Sequence, residues 1–361
     1  MPKNNQTVDR ETILKLPKTD LHVHLDGSLR IPTILDLAQQ QKVRLPMEDE
    51  EGLEKKLHIS QDCRSLEEYL EAFKITLSVM QTREALVRTA YELGQDAAAE
   101  NVKYMEVRFS PILHTEQGLR LTEVNEAVLE GLGQAEKDFG IKTGIIICGI
   151  RSMDPQASLV LAELAVAYKR RGVVAFDLAG REHSYPAKEH REAFYLVVNN
   201  NINCTIHAGE AYGPESIAQA IHYCKANRIG HGTRLKEDGE LLNYVNDHRI
   251  PLEMCVTSNV QTRAVPSVEA HPIRFYYDYG LRVTVNTDNR LMSNTTVTDE
   301  LCLIADAHRF SLPEIKNLII YGFKSAFLPY QEKVAILNEV IKELKSITDG
   351  KPLSQVAQLG G

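Results

Sequence analysis

Short apolar runs rich in β-branched residues alternate with longer amphipathic stretches along this chain. The run G-I-I-I-C-G-I is typical, because unbroken hydrophobicity over that length is expected of a parallel strand covered on both faces. Amphipathic stretches such as 154–170 and 214–227 separate the runs and predict helices. Eight runs predict strands, and they cover residues 19–25, 102–109, 143–150, 173–178, 202–207, 228–232, 251–256 and 281–288.

Eight alternating β and α units predict an α/β fold in which a parallel sheet closes into a (β/α)8 TIM-type barrel. An open doubly wound sheet is the alternative, although no G-x-G-x-x-G follows any run, which disfavours its usual dinucleotide-binding form. We predict a single barrel domain over residues 1–361, with a flexible tail at about 350–361.

The gap between the first and second predicted strands is far longer than a normal βα connection. We therefore predict a helical insertion at about 28–100 that packs on the barrel and forms a lid over its C-terminal mouth. Residues 65–80 have apolar side chains at helical spacing. These are Leu66, Tyr69, Leu70, Phe73 and Leu77.

Charge, apolar content and cysteine usage argue against several classes of protein. The formal net charge of -8 over 361 residues argues against a nucleic-acid partner, which requires clustered positive charge. No apolar stretch is long enough to cross a membrane, and the N-terminus lacks the apolar segment of a signal peptide. The six cysteines have no C-x-x-C spacing, and Cys148, Cys204 and Cys255 lie in predicted strands. This usage predicts reduced thiols and a cytoplasmic protein.

The first predicted strand ends in L-H-V-H-L-D-G. Side chains two residues apart on a strand point to the same face, so His22 and His24 both face the barrel interior. Two imidazoles that converge in this way suit a metal ion, although an H-x-H taken alone fits two polar core residues equally well.

Further ionisable residues stand at the C-terminal ends of other predicted strands, where barrel active sites lie. The fifth run ends in T-I-H-A-G-E with His207 and Glu210, the sixth contains His231 in R-I-G-H-G, and the eighth ends in N-T-D-N with Asp288. Burying so many polar groups together without a metal or pairing would cost several kcal/mol. The sequence therefore predicts a metal site.

At these positions the chain resembles the adenosine deaminase family of metal-dependent amidohydrolases, from Leu16 to about residue 340. The motifs that carry the resemblance are L-P-K-T-D-L-H-V-H-L-D-G-S-L, D-L-A-G-R-E, H-A-G-E, G-H-G-T-R-L, T-S-N-V-Q-T and N-T-D-N. Each motif alone is weak, but together, in this order and at these strand ends, they are highly specific.

The resemblance implies one Zn²⁺ per chain with a coordination position left for water, which the ion converts to hydroxide near neutral pH. It implies that His231 orients this water and takes part in its deprotonation, while Asp288 also accepts from the nucleophile. Glu210 is expected to give a proton to the purine ring, which requires a raised pKa in a closed pocket. The implied metal ligands are His22, His24, His207 and Asp288.

The resemblance also implies a set of substrate contacts. The backbone N–H of Gly180 is expected to face the purine, Asp26 to bind the ribose hydroxyls, and His24 to lie beside the substrate. Asn289 stands where the animal members have a second aspartate, as N-T-D-D. An amide can donate to a purine ring nitrogen at any pH, whereas an acid must first be protonated.

The implied reaction is hydrolysis of adenosine and 2'-deoxyadenosine to inosine or deoxyinosine and ammonia, in purine salvage. The alternatives are deamination of a related nucleoside, of the aminofutalosine or methylthioadenosine type, or of adenine. A binuclear amidohydrolase is disfavoured because D-L-A-G offers no bridging lysine, and the cytidine-type deaminases need H-x-E with P-C-x-x-C, which is absent. A catalytically inactive binding protein would lack a metal ligand or Glu210, and the chain has them all. The sequence does not address the oligomeric state.

Overall fold

A computed structural model describes residues 8–58 and 72–347 of the chain. All eight predicted strands are present within these residues, with bounds that differ from the predicted ones by a few residues at most. Every strand pairs in parallel with the next one along the chain. The strands are β1 (Lys18–His24), β2 (Val102–Phe109), β3 (Lys142–Ile150), β4 (Val173–Ala179), β5 (Asn203–Ala208), β6 (Arg228–His231), β7 (Leu252–Met254) and β8 (Val283–Val285).

The sheet closes where the chain leaves β8 and meets β1. A parallel bridge joins Val23 to Asp288, with the His24 N–H donating to the Asp288 carbonyl at 2.7 Å and the Asp288 N–H to the His22 carbonyl at 2.8 Å. The predicted barrel is confirmed, and the open sheet is excluded. Because this closure lies at the mouth, it brings the first and last predicted metal ligands together.

Helices surround the sheet in the order that the amphipathic pattern predicts. Those after the first strand are α2 (Ile31–Gln41), α3 (Glu50–Leu57), α4 (Phe73–Val79) and α5 (Arg83–Ala99), preceded by α1 (Arg10–Lys15). The others are α6 (Leu121–Phe139), α7 (Pro155–Ala167), α8 (Arg191–Asn199), α9 (Pro214–His222), α10 (Gly239–Asp247), α11 (Val256–Gln261), α12 (Ile273–Tyr279), α13 (Val297–His308), α14 (Leu312–Ser325) and α15 (Tyr330–Ser346). Short 3₁₀ turns occupy Pro111–His114, Ala187–His190 and Leu235–Glu237.

Helix α6 illustrates how the sequence specifies these elements. Its Val124, Val128 and Leu132, spaced four residues apart, lie on one face and are buried. The helix ends at Gly140, which adopts the left-handed backbone (φ 70°) that favours glycine at this position. The core therefore lies between the strands and one stripe of each helix.

Where the structure describes the predicted insertion, it contains the helices α2 to α5, which are joined by short non-helical segments. Residues 65–71 of the predicted lid helix lie outside the described residues, and so does the tail at about 350–361. The described part of the lid helix, 72–80, contains α4. Within 8–58 and 72–347, none of the helices has the length and apolar content needed to cross a bilayer. Cys148, Cys204 and Cys255 are buried free thiols, as predicted.

Candidate active site

Four predicted ligands meet at the mouth of the barrel. His22 and His24 come from β1, His207 from β5, and Asp288 follows β8. One ligand atom from each lies within 4.8 Å of the others. The His207 Nε2 is 3.1 Å from the Nε2 of both His22 and His24, and the Asp288 Oδ1 is 3.5 Å and 3.3 Å from the same two nitrogens.

These distances suit a metal ion. Donors about 2.0–2.1 Å from a zinc-sized ion, at angles of about 90–120° to one another, lie roughly 2.9–3.6 Å apart, a range that includes these four distances and leaves a further position for water. Three imidazole nitrogens and a carboxylate oxygen are also ordinary ligands for such an ion.

Hydrogen bonds behind the cluster turn the ring nitrogens inward. The Nδ1 of His22 lies 2.8 Å from the Glu253 Oε2, and the Nδ1 of His207 lies 3.1 Å from the Asp177 Oδ2. A carboxylate only accepts, so each neutral ring carries its proton on Nδ1 and presents an Nε2 lone pair to the centre. Two lone pairs 3.1 Å apart repel unless a cation lies between them. The donor set therefore fits a metal.

The barrel interior below the cluster contains a buried ionic layer. Glu253 accepts from Arg108 Nη2 at 2.9 Å and from Arg228 Nε at 2.5 Å, while Asp177 accepts from Arg108 Nη1 at 2.9 Å. Arg228 also pairs with Glu106. Sequence reasoning missed this layer, although charged residues inside runs that otherwise predict covered strands were a detectable signal.

The backbone at two of the site residues is strained. Asp288 (φ 62°) and His231 (φ 63°) both adopt the left-handed region, which residues with a side chain rarely enter. Strain of this kind clusters at functional sites because the surrounding structure must hold it in place. At Asp288 the bridge to β1 provides that support.

Asp288 and Glu210 differ in their ionisation. Burial alone would raise the pKa of Asp288, but a hydrogen bond from His22 and electrostatic interactions with the rings of His22, His24 and His231 hold it well below its usual range. The Ser258 hydroxyl also donates to Asp288 at 2.6 Å.

Glu210 follows β5 and is buried. Burial, and then the nearby charge of Asp288, raise the pKa of Glu210 to about 8. Its Oε1 accepts from the Thr262 hydroxyl at 2.8 Å, and its Oε2 lies 3.6 Å from the His231 Nε2. The raised pKa that the resemblance requires is therefore present, and the group can hold a proton near neutral pH.

The remaining predicted contacts line the same cavity, whose volume is about 400 Å³. Asp26 is buried, its Oδ1 has no hydrogen-bond partner within the described chain, and burial raises its pKa to about 7. Gly180 directly follows β4 and has φ 94°, a conformation that favours glycine. Asn289 packs over Gly27, where an added Cβ would lie 1.9 Å from the Asn289 Oδ1.

Apolar side chains line the same cavity. They are Phe73 and Leu77 of α4, with Leu113 and Ile150. The predicted lid helix therefore contributes to the cavity through its described part. A cavity lined by apolar side chains and a few convergent polar groups is typical of a small-molecule site.

A family model described as adenosine deaminase matches residues 17–343, which include every site residue named above. The chain belongs to the adenosine deaminase family. It is 45% identical to a probable adenosine deaminase of Dictyostelium discoideum over 99% of this chain, but it spans only 47% of that protein's length. It is 42% identical to the adenosine deaminase of Clostridium acetobutylicum, over 92% of this chain and 99% of that one.

Among solved structures, an adenine deaminase from Arthrobacter aurescens has a TM-score of 0.86 and 27% identity, covering 91% of this chain and 99% of that one. The family model and this neighbour are thus both described as deaminases. The first is named for the nucleoside adenosine, and the second for the free base adenine.

Proposed function

We propose that this chain hydrolyses adenosine and 2'-deoxyadenosine to inosine or deoxyinosine and ammonia, in purine salvage. The observation that carries the proposal is one cavity that holds both a metal-type cluster and a buried carboxyl group with a pKa of about 8. Hydrolytic deamination needs a nucleophilic water and a proton donor at the same substrate, and these two features supply them. The family and the curated relatives support the same reaction.

We propose zinc as the metal, one ion per chain, held by His22, His24, His207 and Asp288. When bound, such an ion supplies the Lewis acidity that makes a water nucleophilic near neutral pH. The three nitrogen donors and one oxygen donor support zinc over magnesium or calcium, which prefer oxygen ligands alone.

The chemistry of the side chains follows from their positions. Protonated Glu210 gives its proton to the ring nitrogen beside the purine carbon that bears the amine, which prevents negative charge from accumulating on the ring. Water, oriented by His231, adds to that carbon, so that a C–O bond forms while the Asp288 carboxylate accepts a proton from the water. The C–N bond then breaks: the proton held by Asp288 passes to the amine, which leaves as ammonia, and the new hydroxyl gives its proton back to Glu210 as it becomes a carbonyl.

Asp26 is the residue that favours a nucleoside over a free base. Its buried Oδ1 lacks a partner within the described chain, and a ribose hydroxyl would satisfy it. Gly180 and Asn289 line the cavity where the purine would lie.

A substrate panel tests this proposal. Adenosine, deoxyadenosine, adenine, AMP and aminofutalosine are compared by ammonia release and ultraviolet absorbance. We expect the highest kcat/KM for adenosine and deoxyadenosine, and a higher value for any other member would overturn the substrate assignment.

The variant Asp26→Ala tests whether Asp26 binds the ribose of the substrate. It should raise KM for adenosine while leaving KM for adenine unchanged, because only the nucleoside has the sugar. Asp26→Asn is the matched control, since it keeps a hydrogen-bonding group of the same size. An equal effect of Asp26→Ala on both substrates would contradict the ribose contact.

We also propose a cytoplasmic location. The five cysteines within the described residues are all free thiols, and four of them are buried. Reduced thiols suit a reducing compartment.

A further inference from the structure

A buried series of hydrogen bonds links Ile273, His271 and Asn259 to His231. The backbone nitrogen of Ile273 is 3.2 Å from the Nδ1 of His271, whose Nε2 is 3.2 Å from the Asn259 Oδ1. The Asn259 Nδ2 is 3.0 Å from the His231 Nδ1 and 3.4 Å from the Glu210 Oε1. Asn259, His231 and His271 are all nearly inaccessible to solvent, at 0%, 1% and 3% exposure.

The backbone N–H of Ile273 sets the donor-to-acceptor direction of these hydrogen bonds. A backbone N–H can only donate, so the Ile273 N–H requires His271 to accept at Nδ1. Burial lowers the pKa of His271 to about 3, so the ring is neutral and carries its proton on Nε2. That proton is donated to the Asn259 oxygen, which turns the Asn259 amide nitrogen toward His231.

A second anchor gives the same direction. Glu210 Oε1 already accepts from the Thr262 hydroxyl, and the Asn259 nitrogen faces the same oxygen. Reversing the amide would place its nitrogen against the proton of His271, a repulsive contact, and would remove the donor from the Glu210 Oε1.

We propose that Asn259 sets the tautomer of His231, so that the ring carries its proton on Nε2 and acts as a hydrogen-bond donor to the reacting water, not as its base. The reaction itself rests on the proposed function. A base-competent ring would need its proton on Nδ1, where it would face the Asn259 N–H. Deprotonation of the water then falls to the Asp288 carboxylate. Asn259 and His271 are positioning residues, because they act through His231.

The same amide also orders the proton of Glu210. With Oε1 accepting from both Thr262 and Asn259, the acid proton is placed on Oε2. One side chain thus decides which atom carries the proton in two neighbouring groups.

The tautomer can be measured directly by nuclear magnetic resonance of metal-loaded protein with ¹⁵N-labelled histidine. The signals of His231 are identified by their absence in His231→Gln. We expect a pyridine-type shift at Nδ1 and a pyrrole-type shift at Nε2. In Asn259→Asp, whose carboxylate only accepts, the two shifts should exchange. Finding Nδ1 protonated in the wild type would overturn the proposal.

Kinetics test the consequence for turnover. Asn259→Asp should lower kcat by about 10²- to 10⁴-fold, the range associated with a misplaced catalytic proton, with a much smaller change in KM. His271→Phe frees the Asn259 amide to rotate, so we expect a mixture of His231 tautomers and a loss in kcat of about tenfold. His271→Gln keeps a donor and should restore most of this loss.

The control is His190→Phe, which removes another buried histidine that bonds to Ser158 and the Arg151 carbonyl. It should leave the His231 spectrum unchanged. If His271→Phe alters neither the spectrum nor kcat, the role of His271 is wrong. If the wild type does not deaminate adenosine, the proposed function fails, while the spectrum still decides the tautomer.

Discussion

Two carboxyl groups at the barrel mouth have different surroundings. On the side of β1 and β8, Asp288 lies among imidazole rings. On the side of β5 and β7, Glu210 accepts hydrogen bonds from the neutral groups of Thr262 and Asn259. Both carboxyl groups are buried to a similar degree. The pKa of Asp288 is nevertheless held well below its usual range, while that of Glu210 is raised to about 8.

The comparison teaches that burial alone does not decide the charge of a carboxyl group. Desolvation acts on both groups in the same direction, and their neighbours decide the outcome. Two carboxyl groups with separated pKa values can serve as acceptor and donor in one reaction. The predictions below alter one side of the mouth at a time.

Removing the metal should have the largest effect. We expect about one zinc per chain in the purified protein, and a strong chelator should abolish turnover without unfolding the barrel, whose apolar core does not involve the cluster. Metal analysis, ammonia release and circular dichroism check these three statements, and zinc added back should restore turnover. Two tightly bound ions per chain, or full activity without metal, would contradict the site.

Glu210→Gln comes next, because glutamine keeps the size of the side chain but cannot give the proton. Turnover should fall by about 10²–10⁴-fold, the loss typical of a missing general acid. Zinc content should stay near that of the wild type, since Glu210 is not assigned as a ligand. Turnover close to the wild-type rate would mean that the proton comes from another group.

The pH dependence of kcat/KM gives a second test of Glu210 as the proton donor. The raised pKa of about 8 means that Glu210 holds its proton below this value and loses it as the pH rises. We therefore expect kcat/KM of the wild type to fall as the pH rises through about 8. Glu210→Gln should lack this decline, and its persistence in that variant would assign it to another group.

Asn289→Ala should cost about 1–3 kcal/mol in transition-state binding, because a purine ring nitrogen would lose its donor in a closed pocket. Asn289→Asp should bind more weakly as the pH rises, since an ionised carboxylate repels a ring acceptor. A double-mutant cycle that combines Asn289→Ala with a substrate carrying carbon in place of that nitrogen is the decisive measurement. Losses that simply add would show that Asn289 does not touch the nitrogen.

Asp177→Asn should have the smallest effect of these changes, and it should act on metal binding. It weakens the acceptor behind His207, and we expect zinc affinity to fall by about 10–100-fold. Competition with a coloured chelator measures this. The matched control is Glu106→Gln, which alters the same ionic layer at a residue that bonds Arg228 and the Phe327 N–H. It should lower stability but not zinc affinity.

Much of the fold and of the candidate site could be predicted from the sequence, because both depend on local patterns. Unbroken apolar runs such as the one in β3 predict covered strands whatever lies beside them. Residues two apart on β1 share a face, so His22 and His24 could be predicted to converge. Glu210, His207 and Asp288 follow from their places at strand ends.

The tertiary structure alone decided which distant groups became partners. Closure through Val23 and Asp288 depends on the tilt and register of all eight strands. A charged residue within a strand, such as Glu253, is visible in the sequence, but its contacts with His22 and Arg108 are not.

The same limit applies to the protons of the site. The sequence determined that a histidine and a glutamate stand at the ends of β6 and β5, because strand ends are local features. Which atoms of His231 and Glu210 carry protons depends on the direction of hydrogen bonds through Asn259 and His271. Those directions exist only once α11 and the following segment have packed against the barrel, since a hydrogen bond needs both partners in place.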